Sequence, residues 1–119
     1  MMPLSLASQE KNLETWDIAS LDVEPHHPEV LRSDDETRVI AINLPAGDEL
    51  QEHQVHERAY LFVAGGEIEI KQGGETVSGG TGFLAHFDPQ ERREVRATSD
   101  ARVVLLLSPW PGEGHPSRR

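Results

Sequence analysis

The sequence GDELQEHQVHERAYLFVAGG, from Gly47 to Gly66, decides the fold of this chain. Its middle is polar and carries two histidines, His53 and His56, and it continues into an apolar run from Tyr60 to Ala64. A polar stretch that changes to a short apolar run bounded by glycines is typical of two successive strands, the second of which is buried. We therefore predict a turn, a strand that carries the imidazoles, and then a buried strand.

The rest of the chain repeats this pattern of short strands between turns. No stretch shows sustained helical periodicity, whereas β-branched residues and glycine-containing turns recur. Strands that follow one another about every 8 to 12 residues are typical of an antiparallel sandwich or barrel, so the sequence predicts an all-β fold. The further strands are predicted at Trp16–Val23, Glu29–Arg32, Thr37–Leu44, Glu67–Lys71, Glu75–Ser78, Phe83–Phe87, Glu94–Ala97 and Ala101–Leu107.

Composition narrows the class of protein. A chain of 119 residues is sufficient for one domain with one core. There is no cysteine, and 11 basic side chains stand against 21 acidic ones, which opposes binding to nucleic acid or to an anionic membrane. The longest apolar run, Val103 to Leu107, is too short to span a bilayer, and the first residues lack the pattern of a signal peptide. We expect a soluble, cytoplasmic protein.

The chain divides into three parts on the same grounds. Residues 1–15 are predicted to be a flexible N-terminal segment, residues 16–110 a barrel, and residues 111–119 a tail rich in proline and glycine. In the first predicted strand, Trp16, Ile18 and Leu21 are the expected buried side chains. Trp110 is expected to anchor the tail on the barrel.

The spacing within the opening stretch resembles the first motif of the cupin superfamily. That motif consists of a glycine, two histidines separated by one residue, a glutamate and a second glycine. The matching positions in this chain are Gly47, His53, Val55, Ala59 and Gly66. The spacing therefore agrees throughout, while one histidine and the glutamate are replaced.

The stretch that begins at Gly82 resembles the second cupin motif, which has a glycine, a proline, a glycine, a histidine and an asparagine. The positions after Gly82 hold Asp88, Gln90, Arg93 and Ala97, so arginine replaces the histidine. The chain is most similar to small, stand-alone bacterial cupins without an assigned reaction. The resemblance implies a double-stranded β-helix, a jelly-roll barrel of two antiparallel sheets.

The replaced positions are those that bind a metal in cupin enzymes, where three imidazoles and one carboxylate leave open coordination positions. Since Arg93 repels a cation, we expect no metal and no other cofactor, and the chain is not expected to be an enzyme of the usual cupin kind. An alternative stays open if a β-bulge follows His53. His53, His56 and His86 would then bind a divalent metal in an oxygenase, isomerase or lyase.

Without a metal, the same end of the barrel is predicted to bind a small molecule, with His53, His86 and Arg93 as the polar contacts. A guanidinium group suits a carboxylate or a phosphate, which favours a small anionic ligand. In the competing interpretation, Arg93 only stabilises the fold by pairing with an acidic neighbour. The candidates for that pairing are Glu52, Glu57 and Glu94.

The buried strand also predicts an interface. If His53 faces inward, alternation turns Tyr60 and Phe62 outward, where two large apolar side chains need cover. Either the predicted strand Trp16–Val23 or a second subunit would cover them. The resemblance implies a homodimer, and a dimeric interaction protein without any ligand is a third interpretation.

Overall fold

The computed structural model describes residues 13–54 and 56–112, without the side chains of residues 51–54. The described chain contains nine strands and a single turn of 3₁₀ helix, Ile18–Ser20. No helix in these ranges is long and apolar enough to cross a membrane. The strands are β1 (Glu29–Ser33), β2 (Arg38–Leu44), β3 (Glu49–Gln54), β4 (Arg58–Gly65), β5 (Ile68–Gln72), β6 (Glu75–Gly79), β7 (Leu84–Phe87), β8 (Arg92–Ala97) and β9 (Ala101–Ser108).

The strands form two antiparallel sheets. One has five strands in the order β1-β2-β9-β4-β7, and the other has four in the order β3-β8-β5-β6. Most neighbours in the sheets are distant in sequence, as in the pairing of β9 with both β2 and β4, while β1–β2 and β5–β6 are consecutive strands. The predicted all-β fold of two antiparallel sheets is confirmed.

Alternation along β4 builds the centre of the core. Ala59, Leu61 and Val63 are buried, while Tyr60 and Phe62 between them are exposed. This is the phase predicted from the sequence. The same alternation along β9 turns Val103 and Leu105 inward, and Leu61 lies directly across from Leu105. Together with inward residues of the four-stranded sheet such as Ile70 and Val95, they remove the inner apolar faces of both sheets from water, which is the main term stabilising the fold.

Two glycine turns hold the strands in register. Gly66 has φ +77° and lies against the backbone of the turn before β9, so that a side chain has no room there. Gly73 and Gly74 join β5 to β6 with φ of +59° and +85°, as a two-residue hairpin of the type I′ kind requires. That short turn makes Gln72 and Glu75 the last paired residues of the hairpin.

The prediction of a strand at Trp16–Val23 is wrong, because this segment contains only the 3₁₀ turn Ile18–Ser20. Its apolar alternation resembles a strand, but its backbone carbonyls are bound by side chains of the five-stranded sheet instead of by a neighbouring strand. Nη1 of Arg102 donates to the carbonyls of Ile18 and Leu21, and Nδ2 of Asn43 donates to that of Val23 at 2.8 Å.

The burial predicted for this segment also changes with its conformation. Trp16 is exposed, Ile18 and Leu21 are half-buried, and Val23 is the buried residue. The segment leaves Tyr60 and Phe62 at 40% and 42% exposure. It therefore does not supply the predicted cover for those two side chains.

The tail folds back on the sheet at Trp110, as predicted. The Trp110 ring packs against the core, and the Arg38 guanidinium lies 4.0 Å from the ring centroid. The backbone N–H of Trp110 donates to the carbonyl of Glu36. Two residues on, the Gly112 N–H donates to Oε2 of the buried Glu57 at 2.7 Å. These contacts hold the last described residues across the start of β4.

Candidate functional site

Polar residues form a row at one end of the four-stranded sheet. The register pairs His53 with Arg93 and Gln72 with Glu75, and Lys71 with Glu94. Continued by one residue, the last pairing brings Arg93 across from Gln72. One position from each of the four strands therefore lies in a polar row, which consists of His53, Arg93, Gln72 and Glu75. The side chain of His53 lies outside the described residues.

Beneath the polar row the sheet is apolar. Alternation places Val95, Ile70 and Val77 on the same face, and the register aligns them across β8, β5 and β6. Val95 and Ile70 are buried in the core cluster. The polar row therefore borders the apolar interior at one end of the barrel.

Arg93 is a buried cation in this row. It is 4% exposed, and its guanidinium carbon lies 4.8 Å from the centroid of the Phe87 ring on the opposite sheet. Burial lowers the pKa of Arg93 below its usual value, and the nearby carboxylate of Glu91 partly opposes this lowering. The stacking on Phe87 is a cation–π contact that stabilises the guanidinium inside the barrel.

His86 lies on the outer face of the other sheet, which differs from its predicted role as a polar contact beside His53 and Arg93 at the barrel mouth. It pairs with the outward Tyr60, with ring centroids 4.9 Å apart, and its Nε2 is 3.7 Å from Oδ1 of Asp88. The reason is the phase of β7, in which Ala85 and the buried Phe87 face inward. The structure therefore does not bring His86 together with Arg93.

His56 lies in the turn between β3 and β4, where its Nδ1 is 3.0 Å from Nε2 of Gln90. A metal site of His53, His56 and His86 requires the three imidazoles to converge. The outward position of His86 does not match this requirement. Among the described side chains, no group of three or more potential metal ligands is present.

Of the three acidic neighbours suggested for Arg93, Glu57 and Glu94 have side chains that the structure describes. Glu57 is buried and accepts the Gly112 N–H. Glu94 is adjacent to Arg93 on β8 and so faces the other side of the sheet. Glu52 belongs to the residues whose side chains are not described. No local pattern in the sequence indicates the buried position of Glu57, because its partner is 55 residues away.

A cleft of about 240 Å³ opens between the two sheets at their β6 and β7 edges. Its polar end is formed by Gln72 and Glu75, and the Phe83 ring, which packs against Gly79, lies at its other end. This cleft was not predicted from the sequence, although alternation in the β5–β6 hairpin could have indicated the inward residues. The lining residues are Ile70, Gln72, Glu75, Val77, Phe83, Leu84, Ala85 and Phe87.

Two opposed antiparallel sheets with a polar row at one open end define a double-stranded β-helix barrel, as predicted. Residues 40–109 match the model of the cupin domain family, which is more than half of the 119 residues. The chain belongs to the cupin family. No curated protein sequence matches it significantly.

Solved structures share the fold at low sequence identity. An RmlC-like cupin protein from Desulfovibrio desulfuricans has a TM-score of 0.73 at 17% identity, over 82% of this chain and 98% of its own. An RmlC-like cupin from Methanocaldococcus jannaschii has a TM-score of 0.70 at 18% identity, over 87% of this chain and 94% of its own. KdgF from Halomonas sp. has a TM-score of 0.65 at 21% identity, over 75% of this chain and 85% of its own. At these identities the likeness shows the fold.

The described residues do not fit the metal site that the family implies. The glutamate position holds Ala59, whose methyl group is fully buried, and the last histidine position holds the Arg93 guanidinium. A methyl group donates no electron pair, and a permanent cation repels a divalent metal. Since the sequence also has Val55 at the second histidine position, three of the four positions lack a side chain suited to coordination.

Proposed function

We propose that this cupin binds a small, largely apolar molecule in the cleft between the β5–β6 hairpin and β7. The observation that carries this proposal is the cleft itself, whose walls are mainly aliphatic and aromatic. Small-molecule sites are typically concave and apolar, with a few polar groups that orient the ligand. Gln72 and Glu75 are polar groups of this kind.

The volume of the cleft limits the size of the ligand. About 240 Å³ exceeds the roughly 150 Å³ of an engineered cavity that binds benzene. It is below the 300 to 1,000 Å³ that is common for drug-sized ligands. We therefore expect a ligand with a single ring, or a short branched chain, and one polar group.

Filling the cleft is expected to abolish binding. Ala85 lines the cleft from β7, so Ala85→Phe places a ring where the ligand would lie. In ¹H–¹⁵N correlation spectra of the wild type, benzyl alcohol is expected to shift the amide signals of β5, β6 and β7. In Ala85→Phe these shifts should fall at least tenfold. The exposed turn residue Ala46 supplies a matched control, Ala46→Phe, in which the shifts should persist.

A wild type whose spectrum does not respond to benzyl alcohol at millimolar concentration would contradict the proposed cleft. A response that survives Ala85→Phe would place binding elsewhere. Metal content of the purified protein, measured by plasma mass spectrometry after exposure to iron, manganese, nickel and zinc, tests the alternative metal-dependent enzyme. A stoichiometric metal that is lost in His53→Ala would favour that enzyme.

We also propose that the protein forms a homodimer through the outer face of the five-stranded sheet. The register aligns Tyr60 with Leu106 and Val39, and Phe62 with Val104, so apolar side chains continue across three strands. An exposed apolar face of this kind is typical of an interface.

Phe62→Lys is expected to shift the protein toward monomer, since a charge would have to be buried at the proposed interface. Sedimentation velocity over a range of concentrations measures this directly. The matched control is Leu13→Lys, at an apolar residue on the N-terminal segment outside the sheet. A wild type that is monomeric at every concentration would contradict the proposed dimer, as would a dimer unchanged by Phe62→Lys.

A further inference from the structure

The charge at the polar end of the cleft comes from one residue. Among the described residues that line the cleft, Glu75 carries the only ionisable side chain. It forms no ion pair with any other described residue, since the ion pairs in these ranges involve other side chains. Its carboxylate is therefore available to a ligand.

The hairpin places Glu75 at the edge of the cleft. Glu75 and Gln72 are paired across the two-residue turn, and both lie on the face that carries Ile70 and Val77. The cations nearby, Lys71 and Arg92, alternate to the opposite face of the sheet, where they line a second pocket that Gln72 and Glu75 also border. A ligand head group at the open end of the cleft would thus meet a carboxylate and an amide.

The buried guanidinium contributes little at this end. Arg93 is stacked on Phe87 and is 4% exposed, and it is not part of the cleft lining. The formal net charge of the whole chain is −10, and this negative charge raises the local concentration of cations relative to anions. Both features oppose the small anionic ligand that the sequence predicted.

We infer that the ligand is a small apolar molecule with a protonated amine as its head group. Its apolar body would lie toward Phe83, and its amine would contact Glu75 at the polar end of the cleft. This inference rests on the proposed function, because it names the class of ligand for the same cleft. An amine donates hydrogen bonds to both a carboxylate and an amide oxygen, which fits the pair formed by Glu75 and Gln72.

The test compares three probes that share one ring and differ in charge, namely benzylamine, benzyl alcohol and benzoate. At neutral pH and low ionic strength, dissociation constants come from the amide shifts of the full-length protein. Exposed charge pairs contribute roughly two- to fivefold in affinity, so benzylamine should bind about two- to fivefold more tightly than benzyl alcohol. Benzoate should bind the most weakly.

Glu75→Gln should remove the preference for the amine over benzyl alcohol. The control is Glu69→Gln, which removes the same formal charge from the opposite face of β5. In that variant the preference should persist. The pair of variants separates the contribution of Glu75 from that of the net charge.

Failure of this inference is distinguishable from failure of the proposed function. If all three probes bind equally, or if the amine preference is the same in Glu75→Gln and in wild type, the cleft binds a ring but the inference is overturned. Tightest binding of benzoate also overturns it and favours a role for Arg93. If no probe binds, the proposed function itself is wrong.

Discussion

Gly66→Ala is expected to lower the free energy of unfolding by at least about 3 kcal/mol. Two effects add at this position. The residue has φ +77°, in the left-handed region that disfavours a side chain. A Cβ would also lie 2.7 Å from Cα of Ala101 and in hard contact with the carbonyl oxygen of Asp100. Backbone atoms cannot rotate away as a flexible side chain can.

The neighbouring backbone cannot shift easily either. Ala101 is buried, and it pairs with Leu44 at the end of the β2–β9 ladder. Displacement of the turn at Asp100 would therefore disturb the register of the central strand β9. Chemical denaturation followed by far-ultraviolet circular dichroism measures this loss of stability. The slope of the unfolding free energy against denaturant concentration should be unchanged if unfolding stays two-state.

Gly74→Ala supplies the matched control. Gly74 has φ +85°, but no heavy atom lies within 4 Å of the position that a Cβ would occupy. This variant isolates the conformational term, for which about 1 to 2 kcal/mol is expected. Equal losses in the two variants would contradict the proposed close approach of Gly66 to the turn before β9.

Leu61→Ala is expected to lower the free energy of unfolding by about 2 to 5 kcal/mol. Leu61 is 0% exposed and lies in the middle of β4, paired with Leu105 on β9 and with Ala85 on β7. Loss of its isobutyl group removes apolar burial and leaves a cavity between the sheets, and strands held on both sides can collapse only partly into it. Thermal and chemical unfolding of the variant measure the effect.

Leu13→Ala makes the same chemical change at a residue that is 88% exposed. Its stability should remain within about 0.5 kcal/mol of the wild type. A loss below 1 kcal/mol in Leu61→Ala would mean that the core repacks around the smaller side chain. That result would contradict the tight interior that we assign to β4 and β9.

The histidines show where sequence reasoning about the site succeeds and fails. Counting from Gly47 and Gly82 selected His53 and Arg93, and the register indeed places these two positions opposite one another. The direction of the His86 side chain could not be predicted by counting along the sequence. Its strand reads Leu84, Ala85, His86, Phe87, so both faces are partly apolar and alternation leaves the phase undetermined.

The prediction of a strand before β1 was wrong for a different reason. Its alternation is the same as that of a half-buried strand, but the backbone takes the partners that are available after folding. Those partners are Asn43 and Arg102, which come from strands later in the chain. A pattern confined to eight residues carries no information about such donors.

By itself, the sequence determined the all-β fold, the positions of most strands and the cupin motifs. These features depend on local alternation, on glycine turns and on spacing along the chain. The cleft, the buried position of Glu57 and the outward direction of His86 were decided only by the tertiary structure. The physical reason is that each depends on which strands become neighbours. The walls of the cleft, for example, come from the β6 edge of one sheet and the β7 edge of the other.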